Sequence, residues 1–244
     1  AQDTTYYGMD KWEKRGSKTA GVDSSRGESL ATLLREINAI PGDFWIRVLY
    51  THPAHWSNEL TEVFASCDKV VKYVDIPLQH ISAHILEEQR RKTDGDYIRN
   101  LIRDLRAAVP GIGLTTDMIV AFPGETEEEF AESLSFIRQC RFADMHIFPY
   151  SRRPGTPADK MPGQHNNDTK EARSRAAIAV AEDMSRSYRE SLLGTVHEVL
   201  FEEPEGEYFT GHCPNYIKVY AIGENLHNEI RKVRLTAFYK DGLL

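Results

Sequence analysis

Gly113-Leu-Thr-Thr-Asp-Met-Ile-Val-Ala-Phe-Pro-Gly-Glu125 is the stretch that decides the fold. Met118 to Phe122 is a short apolar run, as expected of a buried parallel strand. Pro123 and Gly124 end it. Thr126 can then cap a helix whose first turn, Glu127-Glu128-Glu129, is acidic and suits the positive end of the helix dipole. Glu129 stands three residues after Thr126, so the spacing predicts a capping box. In an α/β protein such a turn lies at the carboxyl ends of the strands, where ligands bind. An ordinary βα-loop would read the same way.

The same rhythm extends to both sides. Leu30, Leu33, Leu34 and Ile37 fall at helical spacing before Pro41-Gly42. Phe44 to Tyr50 reads as a strand that exits into Thr51-His52-Pro53, and a helix is expected after Ser57, with Leu60, Val63 and Phe64 inward. A strand within Val70 to Leu78 ends in Pro77-Leu78-Gln79-His80, and Ser82 is placed to cap a helix through Arg90. Tyr97 to Val109 is amphipathic, with Ile98, Leu101, Ile102, Leu105 and Val109 on one stripe. Downstream come a helix over Phe130 to Cys140 and a strand over Met145 to Tyr150. Units of about 30 to 40 residues in βαβα order imply a parallel sheet, open or part of a (β/α) barrel. Its strand ends present His52, Gln79, Glu125 and Tyr150, and polar groups converge at the C-terminal face of a barrel.

The flanks differ in character. Residues 1–27 are polar and glycine-spotted, as a strand exit followed by a loop would be. After Arg152-Arg153-Pro-Gly-Thr-Pro157 a turn-rich linker runs to about Asp168. A long helix is expected from Thr169 to about Leu193, with Ile178, Ala181 and Met184 inward. From Gly194 onward short alternating runs separated by turns suggest a small antiparallel barrel. The expected domains are therefore 1–193 and 194–244.

The 244 residues suffice for a sizeable core, and 27% charged against 41% hydrophobic residues is the balance of a globular chain. No apolar run approaches the roughly 18 residues of a membrane span. A net charge of −7 gives no global attraction to nucleic acid, so any such binding needs a local patch. Cys67, Cys140 and Cys213 are scattered. They point to the reducing cytoplasm and to no cysteine-spaced metal or cluster site.

Pro77-Leu-Gln-His80, Thr115-Thr-Asp-Met-Ile-Val-Ala-Phe-Pro-Gly-Glu-Thr126, Phe148-Pro-Tyr-Ser151 and Pro154-Gly-Thr-Pro-Ala158 together resemble the radical S-adenosylmethionine methylthiotransferases. The last fifty residues, with Asn215-Tyr216-Ile-Lys-Val-Tyr220 and Lys240-Asp-Gly-Leu243, are similar to the family's TRAM domain, a small RNA- or substrate-binding barrel. The resemblance implies a partial (β/α) radical SAM barrel followed by TRAM. It also implies S-adenosylmethionine as cofactor and two [4Fe–4S] clusters in the parent protein. The cysteines that would hold those clusters are absent from this chain, which begins with Ala1 and reads as a fragment, inactive alone. The family's reaction generates a 5′-deoxyadenosyl radical, abstracts hydrogen from the substrate and leaves a methylthio group on carbon.

Residue by residue, the resemblance implies that Gln79 bonds the ribose or amino-acid end of S-adenosylmethionine. The turn Asp117 to Glu125, including Phe122, Pro123 and Gly124, would lie along the adenosyl group. The family usually has Gly where this chain has Ala121, and an added methyl there could crowd the ligand or be harmless.

The two halves point to different substrates. Tyr50-Thr-His-Pro53 and Asp75-Ile-Pro-Leu-Gln-His80 are similar to the branch that modifies an aspartate of a small-subunit ribosomal protein. From about Leu114 the sequence is more similar to the branch that methylthiolates threonylcarbamoyladenosine beside the tRNA anticodon. Weighting the C-terminal half gives tRNA as the expected partner and the ribosomal protein as the alternative. Lys218, Arg231, Lys232 and Arg234, with Tyr216, Tyr220 and Tyr239, are the candidate RNA-binding face. A solvated strand face reads alike, and a non-catalytic RNA- or protein-binding remnant is the reading from another class.

Overall fold

The structure is a computed structural model that describes residues 3–12 and 26–244. The loop expected between Lys11 and Gly27 falls mostly on residues 13–25, outside the described residues. Helix α1 (Leu30–Asn38) is opened by Ser29, α2 (Asn58–Ser66) by Ser57, α3 (Ala83–Glu88) by Ser82 and α4 (Gly95–Ala108) by Asp94. Each capping side chain accepts a hydrogen bond from an amide that the first helical turn leaves unpaired. The α4 stripe buries Ile98, Ile102 and Leu105.

Strands β1 (Tyr73–Asp75), β2 (Gly113–Val120) and β3 (Asp144–Pro149) form a parallel sheet in that order. α3 and α4 connect β1 to β2, and α5 (Glu127–Cys140) connects β2 to β3. The box at the start of α5 forms in both directions, Glu129 amide to Thr126 hydroxyl and Thr126 amide to Glu129 carboxylate. Val74, Ile76, Leu114, Met118, Val120 and Met145 join the helices in the main core. The opposite face of the sheet shows Asp117 and Ile119 beside His146 and Phe148, register partners on neighbouring strands. That face is mixed in polarity, so the run Met118 to Phe122 is less symmetrically covered than expected.

The segment Phe44 to Tyr50 is not a strand. It follows the sheet edge through one bridge, Ile46 to Val70, after which the Tyr50 amide donates to the Asp75 carboxylate instead of a carbonyl. Tyr50, the last residue of the segment, has φ +57° and so leaves extended backbone altogether.

The long helix α6 (Asn167–Leu192), capped by Asn166, packs along β3 with Ala177, Val180, Ala181 and Met184 buried. Ile178 does not turn inward; it is 41% exposed and borders a cleft facing the C-terminal sheet. That sheet contains β4 (Val196–Glu205), β5 (Tyr208–His212), β6 (Lys218–Ala221), β7 (Glu229–Arg234), β8 (Phe238–Tyr239) and β9 (Gly242–Leu243), in the order β7-β4-β5-β6-β9-β8. All neighbours are antiparallel except β6 and β9. Val199, Phe201, Val219, Leu235 and Leu243 form its core, completed by Tyr188, Leu192 and Leu193 from the end of α6. The chain is therefore α/β, a partial barrel sheet followed by a small, mainly antiparallel β domain. The two meet where Arg47 lies over the rings of Tyr73 and Tyr216, 5.2 and 4.2 Å from their centroids.

Candidate functional site

The carboxyl ends of the parallel strands border a cavity of about 660 Å³. Gln79, Asp117 and Phe122 line it, with Gln89, Phe148 and Tyr150. Gln79 is held at φ +68° by its own main chain, which donates to the Asp117 carbonyl (2.8 Å) and accepts from the Ile119 amide (2.9 Å). The Asp117 carboxylate lies 3.2 Å from His146 Nδ1, and burial together with nearby Asp75 pushes its pKa up. Phe122 meets Tyr150 edge-on, centroids 5.2 Å apart, over buried Ile85.

Buried polar groups are nearly always hydrogen-bonded. In this wall the Tyr150 hydroxyl and both polar atoms of the Gln89 amide are buried without a partner. Such groups suit a polar ligand that would satisfy them. Gln89 carries no sequence signal: it follows the last turn of α3 in a polar run, and only the fold brings it to the cavity.

The rest of the expected cofactor turn faces elsewhere. Gly124 donates its amide to the Gly163 carbonyl at 3.0 Å. The Glu125 side chain has no solvent exposure. Its Oε2 accepts from the Ala121 amide (2.5 Å) and from Arg173 Nη1 (2.5 Å), and its Oε1 lies 3.0 Å from His80 Nε2. His80 Nδ1 accepts from the Ser82 amide at 3.0 Å, so a neutral His80 carries its proton on Nε2 and donates to Glu125. Arg173 also binds the Glu125 carbonyl (3.1 Å) and Glu127 (2.6 Å). Pro123 is buried within the same turn. Pro123 and Glu125 are thus buried and Gly124 is exposed, and none of the three lines the cavity. Arg173 is one of several arginines in its helix, and nothing in the neighbouring sequence distinguishes it.

Asp3, His52 and His55 form a second titratable group, with ligand atoms within 4.8 Å of one another. His52 Nδ1 accepts from the Ala54 amide at 3.1 Å. Its neutral ring thus keeps the proton on Nε2, which leaves no lone pair for a cation. Burial lowers the His52 pKa from 6.5 to about 4. His55 Nδ1 pairs with Asp3 at 2.5 Å.

The candidate RNA-binding residues do not share one face. Lys218 lies on β6 and bonds Glu205 and Asp241. Arg231, Lys232 and Arg234 lie on β7, with β4 and β5 in between. Arg231 pairs with Glu229, Lys232 with Glu198, and Arg234 bonds the Gly194 carbonyl. Tyr216 packs on Tyr73 and His212, and Tyr220 is buried with its hydroxyl on Asp241.

A family model described as "Radical SAM superfamily" matches residues 16–137. The chain belongs to the radical SAM superfamily. Over 205 residues it is 52% identical to the ribosomal protein uS12 methylthiotransferase RimO of Akkermansia muciniphila, covering 84% of this chain and 45% of that protein. It is 45% identical to RimO of Opitutus terrae over 245 residues, the whole of this chain and 52% of the relative. The chain thus spans about half the length of the curated relatives it matches. Among solved structures, the radical SAM enzyme coproporphyrinogen III oxidase (HemN) of Escherichia coli aligns with a TM-score of 0.51 at 16% identity, over 76% of this chain and 50% of that one. That likeness concerns the fold alone.

These relatives are named for a ribosomal protein, which overturns tRNA as the expected partner. The cationic residues of the C-terminal half are spread over separate strands and already paired, which gives no concentrated basic face. Radical SAM proteins use S-adenosylmethionine with a [4Fe–4S] cluster. The cavity fits the former, given its unpaired Gln89 and Tyr150 groups. The chain's own thiols do not fit the latter. Cys67, Cys140 and Cys213 are all buried, at the ends of α2 and α5 and in the β domain. Burial pushes Cys140 and Cys213 up to about 12, whereas cluster ligands are thiolates. Among the described residues no helix is long and apolar enough to cross a membrane.

Proposed function

We propose that this chain supplies the S-adenosylmethionine-binding sheet and β domain of a cytoplasmic enzyme that methylthiolates an aspartate of ribosomal protein uS12. The observation that carries the reading is its 52% identity to a uS12 methylthiotransferase across most of its length. The cavity at the strand ends supports it independently. Bound S-adenosylmethionine would supply a radical for hydrogen abstraction once it takes one electron from a reduced [4Fe–4S] cluster held outside this chain, and a further molecule would supply a methyl group. The chain's part is to bind and orient S-adenosylmethionine. Gln79, the Gln89 amide and the Tyr150 hydroxyl would hold its polar groups, and the Phe122–Tyr150 pair would keep water from it.

Equilibrium dialysis of labelled S-adenosylmethionine against this chain, with Tyr150→Phe beside the wild type, tests the cofactor half. Loss of one hydrogen bond should weaken binding by about threefold to tenfold, and equal affinity would remove Tyr150 from the site. Fluorescently labelled uS12 titrated with the chain tests the substrate half. Saturable binding is expected, and its absence would set uS12 aside as a partner of this part of the enzyme.

A further inference from the structure

A buried ion pair sits directly behind the cavity turn. Arg173 and Glu125 have side-chain exposures of 5% and 0% and are 2.5 Å apart. The same Glu125 oxygen that meets Arg173 also accepts the amide of Ala121, whose φ of +56° is unfavourable for any residue with a Cβ. Such a turn must be held by its surroundings. Ala121 immediately precedes Phe122, which lines the cavity. A carboxylate without solvent remains a good acceptor only if a counter-charge stays beside it, and Arg173 is that charge. Its guanidinium is forked: Nη1 takes the Glu125 carboxylate and carbonyl, and Nη2 reaches outward to Glu127. His80 completes the set from the α3 side.

We infer that Arg173 is a positioning residue for S-adenosylmethionine: acting through Glu125, it fixes the Ala121–Phe122 turn that walls the cofactor cavity. The inference rests on the cofactor reading given above. It also links two parts of the fold, because the helix that carries Arg173 ends in the core of the β domain. Two groups separate this role from simple stapling of α6 to the sheet. Glu127 staples as well, but it is exposed and has no bond to the turn. Ala121 reports the turn itself.

The test uses ¹⁵N-labelled chain as wild type, Arg173→Met and Glu127→Ala. A charge-assisted bond should shift the Ala121 amide proton downfield in the wild type and in Glu127→Ala. Arg173→Met keeps the packing volume and removes the charge. It should move that resonance upfield and raise the dissociation constant for S-adenosylmethionine about tenfold, the scale of one lost charge-assisted bond. If Arg173→Met does not fold, Glu125→Gln combined with Arg173→Met removes both charges and should restore folding while leaving the same two signatures. An unmoved Ala121 amide with unchanged affinity, in whichever of these variants folds, overturns the inference. So does an equal loss in Glu127→Ala. A wild-type chain that binds no S-adenosylmethionine would refute the cofactor reading instead, and the Ala121 resonance would still decide whether Arg173 holds the turn.

Discussion

Ala121 carries a methyl group at φ +56°, where an L-residue costs roughly 1–2 kcal/mol relative to the right-handed region. The resemblance left open whether a methyl at this position matters, and the backbone angle answers for stability. Ala121→Gly should stabilise the chain by about 1 kcal/mol, read as a melting temperature higher by about 2–4 °C. A lower melting temperature would mean that burial of the methyl outweighs the strain. His52 titrates in the opposite sense to a salt-bridged histidine. Its folded pKa of about 4 lies below the ordinary 6.5, so its contribution is full above 6.5 and is lost as the pH falls from there toward 4. Urea unfolding at pH 7 and pH 4.5 should show a smaller loss of stability for His52→Asn than for the wild type. Equal losses would assign that pH dependence to other groups. At this scale the sequence names the residue types at the strand ends, yet it hides their directions. Glu125 and Gln79 looked equivalent as strand-exit polar groups, and only tertiary packing turns one inward and leaves the other on the cavity. Arg173 was invisible because its partners lie on a different element, more than forty residues upstream.

Helix starts are written in local chemistry, and these were the most legible elements. Ser57, Ser82 and the Thr126–Glu129 box all cap where the sequence places them, because each cap needs only the next three residues. Thr126→Ala should cost about 1 kcal/mol, a fall of about 2–4 °C in melting temperature. A change within error would show that tertiary contacts of α5 suffice without the cap. The edge of the sheet was less legible. Phe44 to Tyr50 has the composition of a strand, but pairing depends on what the neighbouring chain offers, and Asp75 diverts the Tyr50 amide to its side chain. Ile178 erred for a related reason. Helical spacing says which residues share a stripe, whereas the width of the buried stripe depends on how closely the β domain approaches.

The union of the two units was absent from the sequence altogether. Gly113 opens β2, and a Cβ built there would lie 2.9 Å from the Asn215 carbonyl oxygen and 3.1 Å from its Cβ. The bare backbone lets the β domain come to rest against the sheet, where Arg47 lies over the touching rings of Tyr73 and Tyr216. Gly113→Ala should push the domain outward. Small-angle scattering should then give a larger radius of gyration, and the cleft beside α6 should become more open to protease. An unchanged scattering curve would mean that Asn215 yields without moving its domain.

The helix that spans both units fixes more than contact. From Arg173 behind the cavity to Tyr188 in the β core, α6 advances about 22 Å at 1.5 Å per residue. It therefore behaves as a ruler with a dial. Each residue inserted between those points would lengthen it by about 1.5 Å and rotate one end against the other by about 100°, given 3.6 residues per turn. A single insertion would swing Tyr188, Leu192 and Leu193 off their core while Arg173 stayed in place. Loops elsewhere can drift in length, but in this segment an insertion or deletion must come in near-whole turns to keep both ends engaged.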